Sequence, residues 1–144
     1  MIRYLLDTDV VSQASKRKAN AHVAAWLGSV DDGDLAISVV TVRERWEGAE
    51  KAARQGSPHA ADIAADIDDM VTAFRGRILA IDERVARRWA ALLVPDRSKA
   101  DDKCQIAIAA IHGLTLVSLN TRDMQGHGVP LLNPGRSPPK AYPA

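Results

Sequence analysis

A single cysteine, Cys104, rules out an internal disulfide framework and fits a reducing compartment. No His/Cys spacing suited to a zinc site is present. No apolar run reaches the roughly 18 residues of a membrane-spanning helix, and the short run before Asp7 does not make a signal peptide. A cytoplasmic location is therefore expected. Net charge is only +1, so the chain as a whole is no polycation, and any attraction for nucleic acid has to come from a local patch. There is no internal repeat and no linker-like segment. With 144 residues, one domain with one core is expected, without help from disulfides or a structural metal.

What is present is an alternation of short buried strands and helices. Residues 2–6 run apolar into Asp7-Thr8-Asp9, as a central strand does before a helix over 8–15. A helix over 21–30 and the turn cluster Asp31-Asp32-Gly33-Asp34 lead to a second strand at 35–40. Thr41 and Glu44 have the spacing of a capping box, which predicts a helix over 42–54. The helix predicted over 59–74 carries an apolar stripe of Ile63, Ile67, Met70, Val71 and Phe74, with Asp62, Asp66, Asp68 and Asp69 on a solvated face. A third strand at 77–81 precedes a helix over 83–94 capped by Asp82. Ser98 and Asp101 have a second box-like spacing. From Cys104 to Ile111 only Gln105 is polar, which marks a buried helix, and Gly113 is placed to end it in a left-handed cap. A fourth strand at 114–119, a turn or short helix from Asn120 and a short edge strand at 129–132 follow. The proline-rich tail from Asn133 is expected to be extended or disordered. This alternation predicts an α/β fold with a mainly parallel sheet of four to five strands, whose strand C-termini share one edge. Ligands of such sheets bind at that edge.

Acidic residues accumulate there. Asp7 follows strand one, Glu44 strand two, Asn120 and Asp123 strand four, and Asp102 opens the buried helix. Each has a structural alternative: a helix cap for Asp7, the capping boxes for Glu44 and Asp123, the helix dipole for Asp101 and Asp102. Together they would repel one another unless a cation joined them. All-oxygen donors suit Mg²⁺ or Mn²⁺. Such an ion, with open coordination positions, supports phosphodiester hydrolysis.

The chain resembles PIN-domain ribonucleases of the VapC toxin type. The resemblance lies in Leu5-Leu6-Asp7-Thr8-Asp9, in Ser38 to Glu44 with Gly48-Ala49-Glu50, in Asp102 through Val117, and in Asn120 to Asp123 with Gly128 to Pro134. It implies a three-layer α/β/α sandwich over residues 1–134, with 135–144 as a proline-rich tail. It also implies a Mg²⁺-dependent endoribonuclease acting on tRNA or rRNA, a VapB-like antitoxin that covers the site, and a homodimer. By position, the family's acids fall on Asp7, Glu44 and Asp102, and its fourth acidic position on Asp123 or Asn120. Thr8 and Ser118 match supporting hydroxyl positions. Asp9 stands where Asn is usual, Gln105 where an apolar residue is usual, and Leu119 where a basic residue is frequent.

Cations flank these acids in sequence. Arg43 and Arg45 bracket Glu44, Lys99 and Lys103 bracket Asp102, Arg122 adjoins Asp123, and Lys16-Arg17-Lys18 follows the first motif. As a set they are candidate phosphate contacts. Trp46 is expected in the core or along a groove. Two other readings compete. A nuclease-inactive binding module would act only through a partner or nucleic acid. A haloacid-dehalogenase-like phosphatase would use the D-x-D form of Asp7-Thr8-Asp9, with Asp7 as nucleophile; that family needs a later lysine and usually a cap insertion, and 144 residues with little spare chain argue against it.

Overall fold

A computed structural model describes residues 1–14 and 19–144. Lys16-Arg17-Lys18 lies outside the described residues. Six short strands form one sheet: β1 (Tyr4–Leu6), β2 (Leu35–Ser38), β3 (Ile78–Leu79), β4 (Thr115–Val117), β5 (Leu131–Asn133) and β6 (Lys140–Tyr142). Their order is β3-β2-β1-β4-β5-β6. Every pairing is parallel except β5 with β6.

Side chains alternate across the sheet with period two. Leu5, Leu116 and Leu131 join one core with Val85, Cys104, Ile106 and Ile108. Leu6, Ile37 and Val117 join a second with Val10, Val23 and Trp26. Helices α5 (Glu83–Leu93) and α6 (Ala100–His112) contribute to the first core, and α1 (Thr8–Ala14) and α2 (Ala21–Ser29) to the second. The result is the expected three-layer sandwich. The sheet has six strands rather than four to five, because residues beyond Asn133 turn back and pair antiparallel with β5. The 129–132 segment is thus not an edge; β6 takes that place.

Helix α3 (Val39–Arg54) starts three residues before the expected position, directly from β2. Ser38 stands at its N-cap without a side-chain capping bond, so the Thr41/Glu44 capping box does not form. Val39 and Val40 read as strand by residue type, but tertiary context makes them helical. The Ser98 box fails too. Ser98 bonds Asp96 instead, and Lys99 occupies the N-cap of α6 in the left-handed region at φ 54°. Asp82 does cap α5, accepting the Val85 N–H at 3.0 Å. Gly113 ends α6 at φ 65°, as its lack of a Cβ allows. The acids of α4 (Ala60–Ala73), Asp62, Asp66, Asp68 and Asp69, are all exposed, and Met70 and Phe74 pack against the second core.

Candidate active site

β1 has β2 on one side and β4 on the other, so successive crossovers leave in opposite directions around it. A crevice forms at the carboxyl end of such a switch point. Asp7 follows β1 there and Ser118 follows β4. The Asp7 N–H donates to the Val117 carbonyl at 2.8 Å, tying the acid to the neighbouring strand. The Asp7 carbonyl accepts from Val10 and Val11, so the residue also heads α1.

Asp7 is only 7% exposed. One oxygen accepts the Thr8 N–H at 2.8 Å and the other accepts the Ser118 hydroxyl at 2.8 Å. Burial and the neighbouring Asp9 nevertheless raise its pKa to about 6. Each oxygen retains a further lone pair for an electrophile. Asp9 accepts the Leu119 N–H at 3.3 and 3.2 Å, which joins α1 to the end of β4. Its pKa is also raised, chiefly by burial.

Glu44 lies in the second turn of α3. Its pKa is raised by burial and then by Asp101 and Asp7, against the pull of Arg43. Asp102, in the first turn of α6, is raised by burial and by Asp7, against the pull of Lys99. Asp7 thus shares an electrostatic neighbourhood with both. Asp123, in the short helix α7 (Thr121–Met124), is felt by Asp102, but its own pKa is lowered by hydrogen bonds from Lys99 and Asn120. A cleft of about 360 Å³ is lined by Asp102, Asp123, Lys99 and His127 among others.

The cations are less available than their positions in sequence suggest. Arg43 forms a two-pronged pair with Asp101, at 3.2 and 2.5 Å, and also meets Glu47. Lys99 Nζ sits 2.5 Å from Asp123. Lys103, expected to flank the site and meet phosphate, is instead buried, with its ammonium on the Asp96 carbonyl and carboxylate. The turn between α5 and α6 supplies that partner, which adjacency to Asp102 in sequence does not reveal. Arg45 contacts Ser12 at 3.4 Å. Arg122 is exposed. Trp46 is partly exposed and lines a groove along α3 with Glu47 and Lys51.

Three residues beneath the site were not among the candidates. The sequence reads Thr41 as a cap, Ser38 as part of the second strand and Gln105 only as a departure from an apolar pattern. All three are buried and hydrogen-bonded together. The one signal available was a lone amide in an otherwise apolar helix, since a buried amide needs partners.

The donor set is all oxygen. Three of its carboxylates have raised pKa values, in part through one another, which is the condition a divalent cation relieves. In chemistry and sign the residues fit such an ion. They are not already closed around one point, for no group of three His, Cys, Asp or Glu side chains among the described residues is arranged to hold a metal.

The order of the sheet, its crevice and these acids define a PIN domain, and the chain belongs to that family: the PIN-domain profile matches residues 4–125. Among characterised relatives, it is 28% identical over 139 residues to the plasmid stability protein StbB of Pseudomonas syringae pv. tomato, covering 90% of this chain and 96% of that one. It is 29% identical over 135 residues to the toxin FitB of Neisseria gonorrhoeae, with the same coverages. A structure of FitAB bound to an IR36 DNA fragment superposes with a TM-score of 0.80 at 29% identity, covering 92% of this chain and 96% of that one. DNA-bound VapBC from Salmonella typhimurium shares the fold, with a TM-score of 0.71 at 20% identity over 91% and 97% of the two chains.

Proposed function

We propose that this protein is the toxin of a toxin–antitoxin module and acts in the cytoplasm as a Mg²⁺-dependent endoribonuclease on tRNA or rRNA. The carrying observation is the buried Asp7, flanked by Glu44 and Asp102 whose charges it destabilises, at the switch point of a PIN sheet. The likeness to the toxin FitB and to the FitAB complex supports the toxin role and a cognate VapB-like antitoxin. A homodimer belongs to the same reading.

Asp7, Glu44 and Asp102 would hold the ion, with Asp123 or Asn120 at its rim. When bound, Mg²⁺ supplies a Lewis acid for the phosphodiester. The protein's own part is to fix the acids. Ser118 and the Thr8 N–H orient Asp7, and Asp9 locks α1 to the end of β4. Arg122 and Lys99 are candidate contacts to flanking phosphates.

One observation favours a second reading, a nuclease-inactive binding module: Asp123 is already neutralised by Lys99. Incubation of total RNA with Mg²⁺, with and without EDTA, separates the two. The wild type is expected to cut a narrow set of RNAs, and EDTA or Asp7→Asn to stop it. Cleavage by Asp7→Asn at the wild-type rate would refute the metal-site assignment. Intact RNA in every arm would favour the binding module.

A further inference from the structure

Gln105 is 1% exposed within a helix segment that is otherwise apolar, apart from Lys103. A buried amide without partners costs several kcal/mol in an apolar medium, so its contacts show what it is there for. Its carbonyl oxygen accepts the Ser38 hydroxyl at 2.7 Å, and its amide nitrogen donates to the Thr41 hydroxyl oxygen at 3.1 Å. Thr41 Oγ1 lies 2.9 Å from Thr8 Oγ1, and the Thr8 N–H donates to the Asp7 carboxylate. The side chains form one chain from the N-cap of α3 through α6 and back through α3 to Thr8, at the head of α1.

The amide NH₂ can only donate, so Thr41 Oγ1 accepts from it, and the amide oxygen can only accept, so Ser38 donates to it. With an apolar residue at 105, Thr41 would be free to turn its hydrogen to the carbonyl one helical turn back, as threonine in helices does, and α6 would lose this tie to α3.

Spacing couples the relay to the site. Gln105 follows Asp102 by three residues on α6, and Glu44 follows Thr41 by three on α3, so each pair shares a helix face. Any rotation that spoils the Gln105–Thr41 bond moves both acids.

We propose that Gln105 is a positioning residue for Asp102 and Glu44, tying α6 to α3 through Thr41 so that both carboxylates stand where they take a divalent cation. The inference rests on the metal-site reading above. It is tested by Mn²⁺ titration calorimetry on folded protein, with thermal melting in parallel. Wild type should bind Mn²⁺ and Asp7→Asn should not. Gln105→Met, of similar size, should weaken binding about tenfold, the worth of roughly one buried hydrogen bond. Thr41→Val cuts the relay in the middle and should do the same; Thr41→Ser, which keeps the hydroxyl, should bind as wild type. The Gln105→Met/Thr41→Val double variant should be no weaker than either single one, because both break one chain.

Wild-type affinity in a folded Gln105→Met protein would overturn the role of Gln105 and leave the metal site standing. If Gln105→Met does not fold, the threonine pair decides: equal losses in Thr41→Val and Thr41→Ser would show a packing effect and overturn the relay. No Mn²⁺ binding by the wild type would overturn the metal reading, and this inference with it.

Discussion

Lys99 Nζ lies 2.5 Å from a carboxylate oxygen of Asp123, and it reaches there from a backbone in the left-handed region, φ 54°. A residue with a Cβ costs about 1 kcal/mol or more in that conformation. The strained turn ends at the rim of the candidate site, where such strain tends to concentrate. Replacing Lys99 with Gly relieves the backbone and removes the charge together. Lys99→Gly should raise Tm by roughly 2–4 °C. It should also let the Asp123 carboxyl, now held low by Lys99 and Asn120, titrate nearer its ordinary range. Carboxyl-detected NMR across acid pH reads the second effect. An Asp123 titration unmoved by the substitution would show that the pair does not form in solution.

Cys104 is fully buried in α6, and burial with the nearby Asp101 raises its thiol to about 11. The thiolate is the reactive form, so at neutral pH the native protein should resist thiol-specific reagents. Reaction should occur at the rate of opening and become complete in denaturant. Fast stoichiometric labelling of native protein would contradict the burial of the first core.

Much of this architecture is legible in the sequence because it depends on local pattern. Asp7 at the end of an apolar run, Asp82 before a helix and Gly113 after one are read from neighbours within a turn, and each stands where expected. What is not legible depends on distant partners. Arg43 and Asp101 are 58 residues apart, so nothing near Arg43 says that its charge is spent. Lys103 looks like an exposed flanking cation until the turn after α5 folds over it. Gln105 is conspicuous as the wrong kind of residue, but its partners lie 67 and 64 residues away. Thr41 and Ser98 show the opposite failure: the local signal for a cap is present, but distant partners claim the Thr41 side chain and Asp96, two residues back, claims that of Ser98.

Asp82 offers a control remote from these acids. It caps α5 through the Val85 N–H and also meets Arg84 at 3.2 Å. Asp82→Ala should lower Tm by roughly 2–4 °C through the lost cap. RNA cleavage at a temperature where both proteins are folded should be unchanged. A loss of cleavage under those conditions would mean that α5 transmits to the site.

Asp7 combines two opposed demands, and Asp7→Asn separates them. Its folded pKa of about 6 lies above the ordinary 3.8, so the fold favours the neutral acid. The stability linked to that proton is fully present below the unfolded pKa and is lost as pH rises through about 6. The loss amounts to about 3 kcal/mol for a shift of this size. Asn is neutral at every pH, keeps an oxygen for the Thr8 N–H, and can donate to Ser118, whose own hydrogen can turn towards Asp9 at 3.5 Å. In the absence of metal, Asp7→Asn should therefore melt several degrees above wild type at pH 7.5, and the gap should close towards pH 4. Mn²⁺ at pH 7.5 should reverse the order by stabilising the wild type alone, since an ion that binds only the folded state adds its binding free energy. Melting curves at the two pH values, with and without Mn²⁺, measure all of this. A gap of equal size at both pH values would refute the burial of the Asp7 charge as its cause. A wild-type Tm indifferent to Mn²⁺ would count against the metal site itself.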